Sequence, residues 1–148
     1  MDDPKLDVLV AKARIRNPEA TVFLLPRPDG QYTNHATDII ALLAGAGIVV
    51  DYATDPMAGG VHAEKAADLD LGALLILFSD ATAMAEAING VLGVIRWFTR
   101  DRQRTISLDV VAEKAADGSS RRMVRIRRAT VDESERLLRA AGDIQPPA

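Results

Sequence analysis

An α+β fold is predicted for this chain on three observations. Thr105–Ala112 alternates apolar and polar residues, and Arg122–Arg128 answers it as a return segment, the pattern of a β-hairpin with one wet face. Met84, Ile88, Val91, Leu92, Ile95 and Phe98 recur at the 3.6-residue period of a helix that buries one stripe. Thr130–Val131–Asp132–Glu133 has the S/T-x-x-E spelling of a capping box. The expected architecture is a small mixed sheet of about four strands (21–25, 48–53, 105–112 and 122–129). It packs against a long, broken apolar helix (71–98) and further amphipathic helices. One domain is expected over residues 1–142, with a tail at 143–148.

Each element has its own local reason. Asp3–Pro4 opens a helix, with Asp as N-cap and Pro at the first helical position. Leu6, Leu9, Val10 and Ala13 form its apolar stripe, and Asn17–Pro18 stops it. Thr21–Leu25 is a short apolar strand ended by Pro26, and Asp29–Gly30 supplies a tight corner. Asn34 is the expected cap of a second helix carrying Ile39, Ile40, Leu42 and Leu43, which Gly45 and Gly47 terminate. Ile48–Ala53 reads as a second strand because of its β-branched and aromatic content. In the hairpin, Val124 and Ile126 face the core while Arg125 and Arg127 face water, with the turn at Asp117–Gly118. The last helix buries Val131, Leu138 and Ala141.

The run from Leu71 to Phe98 is long enough to raise the question of a membrane span. A span needs roughly 20 consecutive residues that are mostly apolar and carry few or no charges. Asp80 and Glu86 interrupt this one near its middle. A carboxylate at mid-bilayer costs on the order of 3 kcal/mol. The run is therefore read as core, broken at Ser79–Asp80, where either side chain can cap the helix that follows. Leu71–Phe78 is open between helix and buried strand, because period alone does not resolve a short apolar run.

Composition narrows the function classes. The chain has no cysteine, which excludes disulfides, thiolate zinc sites and cysteine nucleophiles. Cysteine-free composition fits a reducing cytoplasm, and the acidic start MDDPKLDVLV lacks the basic and apolar regions of a secretory signal, so the expected location is cytoplasmic. The net charge of −3 is unevenly spread: residues 1–95 hold 6 Lys/Arg against 13 Asp/Glu, and residues 96–148 hold 12 against 8. Such asymmetry favours self-association between unlike faces, or a basic patch for a partner.

No catalytic constellation emerges. His62–Ala63–Glu64 has the H-x-E spelling of zinc deaminases, but the required P-C-x-x-C partner is absent, leaving a surface histidine. His35 and Asp38 lie three apart on a helix, and a metal site there needs further ligands. Asp80 is read as a cap and Glu86 as a solvated edge, not as an acid/base pair. No G-x-S-x-G elbow, P-loop, H-E-x-x-H or dinucleotide fingerprint occurs. The strongest polar feature is the arginine set Arg121, Arg122, Arg125, Arg127 and Arg128, the candidate partner-binding surface. Guanidinium forks suit phosphate, so nucleic acid is the alternative partner. The return strand lacks the aromatics on which bases stack, so a salt-bridged outer sheet face is the preferred reading.

The order of elements from Ile48 to Gly142 resembles the effector-associated constant component family of bacterial conflict systems. The resemblance is carried by the Gly72–Ala–Leu–Leu start, the small-residue break Ser79–Asp80–Ala81 and the helix end Ile95–Arg–Trp–Phe–Thr–Arg. The alternating strand Thr105–Val111, the turn Asp117–Gly118 and the return strand Met123–Ile126 complete it. It implies a non-enzymatic adaptor coupled to variable protein effectors that are often peptidase-like; self-association is expected from the charge asymmetry together with this pattern. The resemblance carries over no catalytic residue, cofactor or metal.

Overall fold

The computed structural model describes residues 4–56, 68–100, 104–114 and 120–143. It is α+β, as expected, with four helices and a mixed sheet. The elements in chain order are α1 (Pro4–Arg16), β1 (Val22–Leu25), α2 (Ala36–Gly45), β2 (Val50–Tyr52), β3 (Asp68–Phe78), α3 (Ala81–Phe98), β4 (Thr105–Lys114), β5 (Arg121–Ala129) and α4 (Val131–Asp143). The sheet has five strands, in the order β2-β1-β3-β4-β5, not four. The added strand is β3, so the expected helix over 71–98 is corrected to a strand followed by a helix. Leu71–Phe78 occupies the centre of the sheet, covered on both faces, and such a strand reads as an unbroken apolar run without alternation. Asp68, Asp70, Asp117–Gly118, His62 and the tail divide differently: the first two begin β3, whereas Asp117–Gly118, His62 and residues 144–148 lie outside the described residues.

Strand directions place the helices. β1 and β2 are parallel and joined through α2; β3 and β4 are parallel and joined through α3; β1 and β3 are antiparallel. Two right-handed crossovers that leave oppositely directed strands toward opposite sheet edges put their helices on the same face. Accordingly α2 and α3, joined by α4, enclose the larger core, built on Ile39, Leu43, Leu74, Ile76, Leu92, Ile95 and Leu108. Among the described helices α1 is the one left for the other face, where Leu6, Val10 and Ala13 pack on Phe23, Leu25, Leu75, Leu77 and Val111.

A single glycine allows β3 to serve both cores. Leu69 and Leu71 point into the larger core, yet so do Leu74, Ile76 and Phe78, which have the opposite parity. The switch occurs in a bulge between Asp70 and Ala73, where three steps on β3 face two on β4. Gly72 sits in that bulge at φ +78°, a backbone state open to glycine at little cost.

The caps follow sequence in part. Thr130 and Glu133 form both halves of the capping box: the Glu133 N–H donates to Thr130 Oγ1 at 3.2 Å and the Thr130 N–H to Glu133 Oε1 at 3.4 Å. Asp80 caps α3, accepting the Ala83 N–H at 2.8 Å. Asp80→Ala is expected to lower stability by about 1 kcal/mol, read as a shifted urea midpoint with an unchanged slope. Asn34 is not the cap of α2; that position is His35, which offers no side-chain cap, and its ring packs edge-on to Phe98 at 5.0 Å. Gly90 lets α3 close on α2 and the segment after it, since a Cβ there would collide with Ile48 Cδ1 and lie 3.3 Å from Leu43 Cδ2. Glu135 joins α4 to α3: its carboxylate is held below the usual range by Arg139 one turn on and by Arg96, at 2.9 and 2.7 Å.

Candidate functional site

Among the described residues, the α1 face of the sheet is covered at one end and open at the other. Strand register sets out the rows across β3, β4 and β5 on this face: Leu77, Glu113 and Arg121; Leu75, Val111 and Met123; Ala73, Asp109 and Arg125. The next rows are polar, with Asp70 beside Ser107 and Asp68 beside Thr105. α1 lies over the first two rows toward β1. Beyond it Met123 is 43% exposed, and Arg125, Arg127 and Arg128 are exposed.

Under α1 the sheet holds a buried carboxylate. Glu113, 2% exposed, accepts from Arg14 Nη2 at 3.1 Å and from Arg121 Nε at 2.8 Å; Arg121 Nη2 also reaches Asp7 of α1 at 2.7 Å. A carboxylate in such a place needs paired cations to offset its lost hydration. Burial opposes the charge on Arg121, but the hydrogen bonds it donates to Asp7 and Glu113 outweigh it and raise its pKa above the ordinary value. The quartet ties α1 to β4 and β5. Arg121 is thus a structural cation, not a group offered to a partner.

At the open end a polar network bounds a cleft of about 470 Å³. Arg127 grips Asp109 with two parallel bonds, Nη1–Oδ1 at 2.6 Å and Nη2–Oδ2 at 3.0 Å, and its pKa is raised chiefly by that contact. Arg27, on the turn after β1, donates through Nη2 to Asp70, whose other oxygen accepts the Gly72 N–H at 2.9 Å. Asp68 accepts from two hydroxyls, Thr105 Oγ1 at 2.7 Å and Ser107 Oγ at 2.9 Å, and has no ion pair among the described residues. The Arg128 N–H donates to Ser107 Oγ at 3.2 Å across a second bulge, where Arg128 adopts φ +47°.

The five arginines therefore do not form one patch. Arg121 and Arg127 are neutralised by Glu113, Asp7 and Asp109, while Arg122 stands opposite Ala112 on the other face of the sheet. Among the described residues Arg122, Arg125 and Arg128 make no side-chain ion pair. Asp7 and Glu113 are functional neighbours that sequence reasoning did not single out: one lies 114 residues from its partner, and the other reads as turn sequence after β4.

Among the described residues no group of three or more His, Cys, Asp or Glu is arranged to hold a metal ion, and no helix is long and apolar enough to cross a membrane. Comparison with protein-family models, with curated proteins and with solved structures finds no match to this chain.

Proposed function

We propose that this chain is a non-enzymatic protein-interaction module that self-associates and couples a protein effector, possessing a peptidase-like or other variable activity, to a bacterial conflict or signalling system in the cytoplasm. The adaptor role is the one implied by the resemblance to the effector-associated constant component family. The observation that supports it best is the open half of the α1 face. Its carboxylates accept from guanidinium and hydroxyl groups that hold them in place, so it presents fixed charges to a partner's surface.

A second copy is the occupant that its charge suits. Among the described residues Asp68 forms no ion pair, being held by two hydroxyls and acted on by Arg127 only from beyond contact distance, and Arg125 and Arg128 form none either. A two-fold pairing brings each group of one copy to its complement on the other. Light scattering across ionic strength tests this. A mass above the 15.9 kDa of one chain is expected at low salt, falling toward it at high salt as the pairs are screened. One chain's mass at every concentration and ionic strength contradicts the proposal.

The second reading, nucleic-acid binding through the arginine hairpin, is favoured by Arg122, Arg125 and Arg128, which form no ion pair among the described residues. It requires phosphate contacts alone, since Met123 is the exposed neighbour where a stacking ring would be needed.

A further inference from the structure

Resting on the interaction reading, we propose that the outer edge of β5 takes an acidic, extended segment of the effector by strand addition. β5 pairs only with β4 among the described residues, which leaves one side of a nine-residue strand without a ladder partner. The opposite edge of the sheet, β2, offers three residues. An unpaired edge supplies backbone donors and acceptors to any extended chain laid beside it, and the flanking side chains decide which chain is accepted.

Here those side chains are cationic. Arg122 projects to one face of β5, and Arg125 and Arg128 line the other. Pairing within the fold has consumed the charge of Arg121 and Arg127 and spared these three. An added strand alternates its residues between the two faces, so acidic residues on it meet a guanidinium on either side, and Met123 offers an apolar contact between them. A second copy does not suit this edge, because β5 against β5 sets arginine against arginine. A second copy on the face and an effector on the edge would share Arg125, whereas Arg122, on the opposite face of β5, is left to the effector alone. The Arg128 bulge limits the usable edge to Arg121–Ile126, because it breaks the ladder beyond.

The test uses three probes on the whole chain: a synthetic peptide alternating glutamate and valine, the same peptide with lysine for glutamate, and a mixed-sequence DNA single strand. Binding is followed by titration, and backbone contact by amide hydrogen exchange. The acidic peptide is expected to bind, to slow exchange of edge amides within Arg121–Ile126, and to lose at least about tenfold in affinity with Arg122→Glu/Arg125→Glu. Failure of the acidic peptide to bind, equal binding of the basic one, or salt-sensitive DNA binding without protection of β5 overturns the proposal. If the peptide fails while the chain still self-associates, the edge inference alone falls. If the chain is monomeric yet β5 is protected, self-association alone falls.

Discussion

Arg121→Met is expected to destabilise the fold by about 2–3 kcal/mol, among the largest effects of any single polar substitution. The reason is the carboxylate it would abandon. Glu113 is 2% exposed, and without Arg121 only Arg14 remains to pair with it. Removing one member of a buried pair costs roughly 3–5 kcal/mol, and the Arg14 contact that remains brings the figure down to or somewhat below the lower bound. Asp7 also loses its anchor, but it is over half exposed and returns to water. Urea unfolding of Arg121→Met and of Arg121→Met/Glu113→Leu separates the causes. If the stranded charge dominates, the double variant is more stable than the single one. If loss of packing between α1 and the sheet dominates, it is less stable.

Gly72→Ala is expected to cost about 2 kcal/mol. A left-handed backbone state costs an L-residue roughly 1–2 kcal/mol, and Gly72 holds φ +78°. The added Cβ would also lie 3.2 Å from Thr33 Cβ, tighter than normal contact, and Thr33 cannot retreat freely because its hydroxyl donates to the Asp70 carbonyl at 2.6 Å. The bulge positions the open end of the face as well, since the Gly72 N–H orients Asp70 toward Arg27. Thermal or urea unfolding checks the stability. A variant as stable as the parent shows that the chain relaxes the bulge without cost.

Legibility in sequence followed the range of the interactions. The α3 stripe, its Asp80 cap, the capping box of α4 and the alternation of β4 are local patterns, and each is present as read. β3 was ambiguous because a strand buried on both faces loses its period of two, and because the Gly72 bulge reverses the parity that Asp68–Leu71 begins. The wet face expected for β4 exists at its start, at Ser107 and Asp109. It vanishes at Val111 and Glu113, where α1 covers it. The arginines of β5 were visible as a set, but their fates were not. Whether a guanidinium is spent or free depends on Asp7, Asp109 and Glu113, and on a bulge that sets Arg127 toward Asp109.

Under the self-association proposed above, the open half of the α1 face is covered when chains meet. Met123 is a built-in reporter of that coverage, being exposed there, whereas Met84 is buried inside the larger core. Dilute peroxide oxidises an accessible thioether, so its rate at each methionine reads exposure directly. Comparing low and high ionic strength, the account predicts slow oxidation of Met123 in the associated state and faster oxidation once salt disperses it, with Met84 slow throughout. A Met123 rate that is the same in both states contradicts it.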